Sequence, residues 1–327
     1  MRRVVLMNFT VVLPPSERVA EQAGLLQQLL AGHRIAVVLT WEEQAQALRT
    51  TDILVSTAFV PVTREDILSA PQLKFIQVAG VGVDHVDLEA AAEKGIIVAA
   101  VAGANAESVA EHVIMSTLAL LRPLIASHGN LKDGRWDLPS WMAQAQDLAG
   151  KTFGIYGMGR IGQELAKRLL PFRVTLLYHD LRPLPPDQER LRGLSFVSKE
   201  MLFQGSDIIS LHLPFTPELY HTIGAKEFSA MKDGSILINT ARAELVDPNA
   251  LIVALRTKLL GAAIDVLESE PPPPDDPLLQ MPNVLLTPHG AGVTLQAQNR
   301  IAQDAIQNVL RFLDNRPVDN VYVGGSS

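Results

Sequence analysis

Cysteine is absent from all 327 residues. That removes disulfide scaffolds, thiolate metal sites and cysteine nucleophiles together. It accords with a reducing compartment, and the expected location is cytoplasmic. A basic excess is missing too, since the formal charge is -7. A nucleic-acid footprint needs a concentrated basic face, so no nucleic-acid partner is expected. No run of five like charges occurs, which excludes charged interaction tails. No apolar run reaches the length of a membrane span, so no membrane partner is expected. The apolar stretch from Val4 to Leu13 is broken by Asn8 and Thr10, and no small-residue cleavage site follows before Pro14-Pro15. It reads as a first core strand rather than an export signal. Histidine and carboxylates do not cluster at ligand spacing, so no metal is expected.

What is present suits a large α/β protein. Apolar residues make up 47% and charged residues 19%, a mix that buries a core, over a length that fits two domains. Short apolar runs at Val4–Met7, Ile35–Leu39, Ile53–Ser56, Phe75–Ala79 and Ile96–Ala99 read as buried parallel strands. Amphipathic stretches lie between them, such as Ser16–Ala31 with Leu25, Leu26, Leu29 and Leu30 at helical spacing. A helix is expected from about Asn105 to Arg122, disturbed by Pro123. A second series of strands follows at Thr152–Tyr156, Val174–Tyr178, Ile208–Leu213, Ser235–Asn239, Ala262–Val266 and Val284–Thr287, and then a helix from about Thr294 to Leu313. Such alternation predicts two doubly wound parallel-sheet units with helices on both faces.

Gly157-Met158-Gly159-Arg160-Ile161-Gly162 has dinucleotide-binding spacing. It follows the apolar strand Phe153–Tyr156 and opens a helix, and that context gives the pattern its weight. Gly157 allows the tight turn, Gly159 the approach of a pyrophosphate, and Gly162 the contact between helix and strand. The helix N-terminus presents unpaired N–H groups to the phosphates. Asp180, eighteen residues after Gly162, stands where an acidic side chain holds the ribose hydroxyls of NAD and repels the extra phosphate of NADP. Arg182 nearby moderates that preference.

Three more polar residues lie just beyond the carboxyl ends of predicted strands, the edge where open α/β sheets bind ligands. Arg242 follows Ser235–Asn239, Glu270 follows Ala262–Val266, and His289 follows Val284–Thr287. The rigid fork of Arg242 suits the carboxylate or carbonyl oxygen of a 2-keto acid. His289 can give a proton to that oxygen as hydride arrives, with Glu270 orienting the imidazole. The other histidines, His33, His85, His112, His128, His179, His212 and His221, read as packed or surface residues.

These stretches, with Leu211-His212-Leu213-Pro214, Asn239-Thr240-Ala241-Arg242, Asp265–Pro271 and Thr287-Pro288-His289, resemble the D-isomer-specific 2-hydroxyacid dehydrogenase family from Val4 to Val321. The resemblance implies two Rossmann-like domains, one inserted in the other. Residues 1–101 with 293–327 would form a flavodoxin-like substrate-binding domain, and 102–292 the NAD-binding domain. It implies that Arg242, Glu270 and His289 are catalytic. Val81 and Gly82 would meet the substrate carboxylate, with Asn105 near the active-site cleft. NAD would contact Arg160, Ile161, Asp180, Thr240 and Asp265 beside the glycines, with Pro214 at the adenine and Gly290 to Gly292 near the nicotinamide. It also implies a homodimer joined through the cofactor domains. One departure is Ala243-Glu244 after Arg242, where many relatives carry glycine.

Among family substrates, a small keto acid such as glyoxylate or hydroxypyruvate fits best. Phosphoglycerate enzymes place a basic residue after the third strand, and Ser56–Pro61 has none. Phosphite enzymes carry lysine where Val81 stands. Formate enzymes have a longer N-terminal part and a different partner for the histidine. Two alternatives stay open: a phosphoglycerate dehydrogenase, and an NAD-binding corepressor-like regulator without turnover. Retention of Arg242, Glu270 and His289 argues against the regulator.

Overall fold

The structure is a computed structural model that describes residues 6–13, 24, 27–28, 30–57 and 60–324. The chain divides into two compact units, Met1–Asn105 with Leu295–Ser327, and Ala106–Thr294. The second is one continuous segment set into the first.

In the first unit, β1 (Asn8–Val12), β2 (Arg34–Val38), β3 (Ile53–Ser56), β4 (Phe75–Val78) and β5 (Ile97–Ala99) are parallel. Val321–Val323 returns antiparallel along β5. The order is Val321–Val323, β5, β4, β3, β1, β2, the flavodoxin-type winding. The second unit holds β6 (Thr152–Tyr156), β7 (Thr175–His179), β8 (Leu194–Phe196), β9 (Ile208–Leu211), β10 (Ile236–Asn239), β11 (Gly261–Ile264) and β12 (Val284–Leu286). All are parallel, in the order β12-β11-β10-β9-β6-β7-β8. The chain leaves β6 in one direction and returns through β9 in the other, which makes the β6/β9 edge the switch point where such sheets bind ligands.

The first strand departs from expectation. Val4 and Val5 lie outside the described residues, and the strand is Asn8–Val12, the segment that Asn8 and Thr10 were expected to interrupt. Thr10 is accommodated because its hydroxyl and that of Thr51 share a buried 2.6 Å hydrogen bond, which satisfies a polar group inside the core. The expected helix Ser16–Ala31 falls mostly outside the described residues, including Leu25, Leu26 and Leu29. The long helices are Ala106–Leu121 and Leu295–Leu313. Pro123 ends the former, and Leu124–Lys132 continues at 62° to it. Among the described residues no single helix is long and apolar enough to cross a membrane.

One device occurs in both units. Asp52, just before β3, accepts the N–H of Asn8 at 3.0 Å and pairs with Lys74 at 2.8 Å. Asp207, just before β9, accepts the N–H of Thr152 at 2.7 Å and pairs with Lys232 at 2.9 Å. Each carboxylate ties down the first residue of its unit's first central strand. Burial pushes both carboxyls up, but the lysine and the backbone N–H outweigh it and leave both below the usual aspartate value. A carboxylate depressed in the folded state stabilises above its unfolded value of about 4 and loses that contribution as pH falls through its folded value. The urea midpoint should therefore be flat with respect to these groups above about pH 5 and fall below about pH 4. The double variant Asp52→Asn, Asp207→Asn should lose stability at neutral pH and show a shallower acid limb. An acid limb as steep as that of the parent chain would remove the two aspartates as its source.

Candidate active site

The glycine turn is built as a phosphate cradle. Gly157 has φ 101°, in the left-handed region that favours glycine. A Cβ there would lie 2.7 Å from the carbonyl carbon and oxygen of His212, so the Leu211–Pro214 stretch walls the turn. A Cβ on Gly162 would collide with the carbonyl oxygen of Gly157, which lets the helix Arg160–Leu169 start tight against the turn. Gly159, its N-cap, has open space where a Cβ would be, and no side chain caps the helix. A helix start of this kind leaves N–H groups free for an anion. Arg160 and Ile161 are the first two residues of that helix.

Asp180 stands directly after β7. Its carboxylate accepts the N–H of Met158, inside the glycine turn, and the N–H of Leu181, both at 2.6 Å. It thus fixes the turn while its remaining lone pairs stay available for hydroxyl groups. Thr240, directly after β10, has a buried hydroxyl with no hydrogen-bond partner. An unpaired buried hydroxyl at the same carboxyl edge of the sheet as the glycine turn fits a bound polar group, and these residues together suit a dinucleotide. Pro214 lies exposed after β9. Burial pushes the His212 imidazole down to about 3, so this ring stays neutral and meets the Ser210 hydroxyl at 2.9 Å through Nε2.

Arg242, Glu270 and His289 follow β10, β11 and β12, three strands adjacent in the sheet. Their strand ends therefore span roughly 10 Å. His289 Nδ1 and Glu270 Oε2 are 2.8 Å apart, and Glu270 Oε1 accepts the N–H of Leu267 at 3.0 Å. A carboxylate at Nδ1 fixes the orientation of the imidazole ring. Asn239 shapes the turn into Arg242: its amide donates to the Arg242 carbonyl at 2.9 Å and its oxygen accepts the Ala241 N–H at 3.0 Å. Arg242 Nη1 donates to the Ala241 carbonyl at 2.7 Å.

His289 adopts φ 51°, unusual for a residue with a side chain. Asp265 explains how that backbone is held. Its carbonyl accepts the His289 N–H at 2.8 Å. Its carboxylate accepts the Thr287 hydroxyl at 2.5 Å, the Gly290 N–H at 2.8 Å and the Ala291 N–H at 2.9 Å. Sequence reasoning expected Asp265 at the cofactor, and these particular anchoring bonds were not visible there. His112, read from sequence as a packed residue, places Nε2 3.4 Å from the Thr287 hydroxyl, 175 positions away in the chain. Gly290 has open space at its Cβ position, and Gly292 lies in the same loop. In the other unit, Val81 and Gly82 follow β4, and Asn105 carries a buried oxygen without a partner. Among the described residues no group of three potential metal ligands occurs.

Comparison with known proteins agrees with this arrangement. The D-isomer specific 2-hydroxyacid dehydrogenase, NAD binding domain, matches residues 114–291. The glyoxylate reductase of Thermofilum pendens is 37% identical over 275 residues, covering 83% of this chain and 81% of that protein. The NAD complex of Staphylococcus aureus formate dehydrogenase superposes with TM-score 0.88 at 37% identity, over 98% of this chain and 100% of that one. Length at the N-terminus therefore does not separate this chain from that formate enzyme. The D-lactate dehydrogenase of Aquifex aeolicus, complexed with NAD and lactic acid, superposes with TM-score 0.86 at 31% identity, over 98% of this chain and 100% of that one. With two parallel-sheet α/β units, a Rossmann-type glycine cradle and these relatives, the chain belongs to the D-isomer-specific 2-hydroxyacid dehydrogenases, NAD-dependent oxidoreductases that act on 2-hydroxy acids.

Proposed function

We propose that this protein reduces a small 2-keto acid of the glyoxylate or hydroxypyruvate type to the D-2-hydroxy acid, and catalyses the reverse oxidation. The observation that carries the assignment of roles is the 2.8 Å pairing of His289 Nδ1 with Glu270. NAD supplies or accepts the hydride when bound. His289 gives its Nε2 proton to the carbonyl oxygen during reduction and takes it back during oxidation. Glu270 holds the ring through Nδ1, so the same nitrogen always faces the reaction. Arg242 grips the carboxylate or the carbonyl oxygen of the substrate with a fixed positive charge. In the other unit, the family resemblance makes the N–H groups of Val81 and Gly82, with Asn105, the candidate contacts for the substrate carboxylate. This gives the unit Met1–Asn105 with Leu295–Ser327 the substrate and Ala106–Thr294 the cofactor. Gly157, Gly159, Arg160, Ile161 and Gly162 take the pyrophosphate, Asp180 the ribose and Pro214 the adenine. Thr240 and Asp265 would also contact NAD, with Gly290 and Gly292 near the nicotinamide.

The test is NADH absorbance decay with glyoxylate, hydroxypyruvate, pyruvate and 3-phosphohydroxypyruvate, beside NAD reduction with formate. Glyoxylate or hydroxypyruvate should turn over fastest. NADH binding seen by fluorescence, with no turnover on any acid, would identify a regulator instead. Preferred turnover of the phosphorylated acid or of formate would replace the substrate assignment.

The reading extends to a homodimer joined through the cofactor unit. Its support is a contiguous segment, Leu124–Met142, that exposes Ile125 at 63%, Trp136 at 78% and Met142 at 73%. Large apolar side chains exposed along one segment accord with an association surface. Light scattering should return twice the mass of one chain, and Ile125→Glu with Trp136→Glu should halve it. A parent chain that already runs at single-chain mass at micromolar concentration would overturn the dimer.

A further inference from the structure

Tyr178, the next-to-last residue of β7, is fully buried. Its hydroxyl makes two short hydrogen bonds. It donates to Glu189 Oε1 at 2.7 Å and accepts the N–H of Leu184 at 2.6 Å. Glu189 lies in the helix Pro186–Arg192, and the ring packs edge-on against Phe196 of β8 with centroids 5.4 Å apart. The turn from Asp180 to Pro185 is thereby held at both ends. Asp180 bonds Leu181 and the glycine turn at one end, and Tyr178 bonds Leu184 at the other. Between the ties lie Leu181, Arg182 and Pro183, all exposed, with Leu181 at 98%. Pro183, Pro185 and Pro186 further restrict the segment. A leucine left that open at the end of a parallel strand contributes nothing to the core, so it is poor material for a purely structural turn.

We propose that Tyr178 is a positioning residue for the cofactor. Its hydroxyl clamps the Asp180–Pro185 turn, and the clamped turn presents Leu181 and Arg182 as a preformed edge against which the adenosine half of NAD docks. This rests on the reading of Asp180 as the ribose ligand. Burial, and then the bond to Glu189, push the Tyr178 hydroxyl up to about 12. The proton that bridges to Glu189 is therefore present over the whole working range. Without the clamp the turn samples more conformations, and cofactor binding has to order them again. Tyr178 does not approach the reacting atoms, so its loss should act on cofactor affinity and leave the chemical step alone.

The test uses Tyr178→Phe in the full-length protein, with NADH affinity read by fluorescence titration without substrate. KM for NADH and kcat are measured on the best keto acid. The NADH Kd and KM should rise about five- to tenfold, with kcat at saturating NADH within about twofold of the parent. Glu189→Leu removes the acceptor of the same hydroxyl from a partly exposed helix position, and should move Kd in the same direction. It answers the question even where Tyr178→Phe folds poorly. Asp180→Asn is measured alongside, and should weaken NADH and lower its preference over NADPH. An unchanged NADH Kd in both clamp variants, with only a lower melting temperature, would reduce Tyr178 to an ordinary core hydrogen bond while leaving the role of Asp180 intact. An Asp180→Asn protein with parental affinity and parental cofactor preference would overturn the reading of Asp180, and the clamp proposal with it.

Discussion

Turnover should fall about 10²–10⁴-fold when His289 is replaced by alanine, the usual size of a general acid–base contribution. NADH affinity stays close to the parent value, because the phosphate cradle and Asp180 are untouched. The expectation follows from the geometry around one ring. Glu270 engages Nδ1 at 2.8 Å, and in the proposed reaction the transferred proton is the one on Nε2. Alanine removes both nitrogens. The fold should tolerate the change. His289 is held by its backbone N–H to the Asp265 carbonyl, a bond that alanine keeps, and its side chain is partly exposed. Steady-state rates with saturating NADH and keto acid decide the matter. A variant that keeps more than about a tenth of the parental turnover would remove His289 as the proton donor.

The second large effect is expected at Asp265, for a different reason. Its side chain is 2% exposed and accepts from the Thr287 hydroxyl and from the Gly290 and Ala291 N–H groups. Asp265→Ala leaves the Gly290 N–H and the buried Ala291 N–H without their acceptor, and leaves the Thr287 hydroxyl only its 3.4 Å contact with His112. Each unsatisfied buried donor is worth about 1–3 kcal/mol, and the exposed side of the loop can rehydrate. A net loss of about 3 kcal/mol is expected from urea unfolding without cofactor. The loop that carries His289 also loses its anchor, and a displacement of about 1 Å can lower a rate by about 10²-fold. Asp265→Asn, which keeps one acceptor oxygen, should fall between. A residue that only touches the cofactor would give another pattern, namely parental stability without NADH and a raised KM for it. That pattern, if observed for Asp265→Ala, would disprove the anchoring role.

The regular elements were legible because buried parallel strands are short apolar runs bounded by polar turns. β3 and β6 have the bounds that the sequence reading assigned, the other expected strands shift by one or two residues at their ends, and the first, expected at Val4–Met7, is found at Asn8–Val12. The three-residue strands Leu194–Phe196 and Val321–Val323 were missed, since so short a segment carries no readable period. Asn8 misled in the opposite sense. A polar residue in an apolar run looks like an interruption until Asp52, 44 positions away, is seen to receive its N–H. The glycine turn, Asp180, Arg242, Glu270 and His289 were visible because each stands just after a strand on one sheet edge. The roles of Asp265, Tyr178 and His112 were not visible. They depend on which hydrogen bonds a side chain makes across the fold, and residue type and spacing do not encode that.

The insertion of one unit within the other has a consequence for synthesis. Ala106–Thr294 is contiguous, so its seven-stranded sheet can close while the chain is still growing from the ribosome. The remaining unit waits for the last segment to emerge. Phe312 stacks on Phe75 of β4 with centroids 4.7 Å apart, and Val321–Val323 completes the sheet beside β5. Nascent chains halted before this segment would carry a finished cofactor fold alongside an incomplete first sheet with a naked edge, which makes that interval the vulnerable one for aggregation or proteolysis.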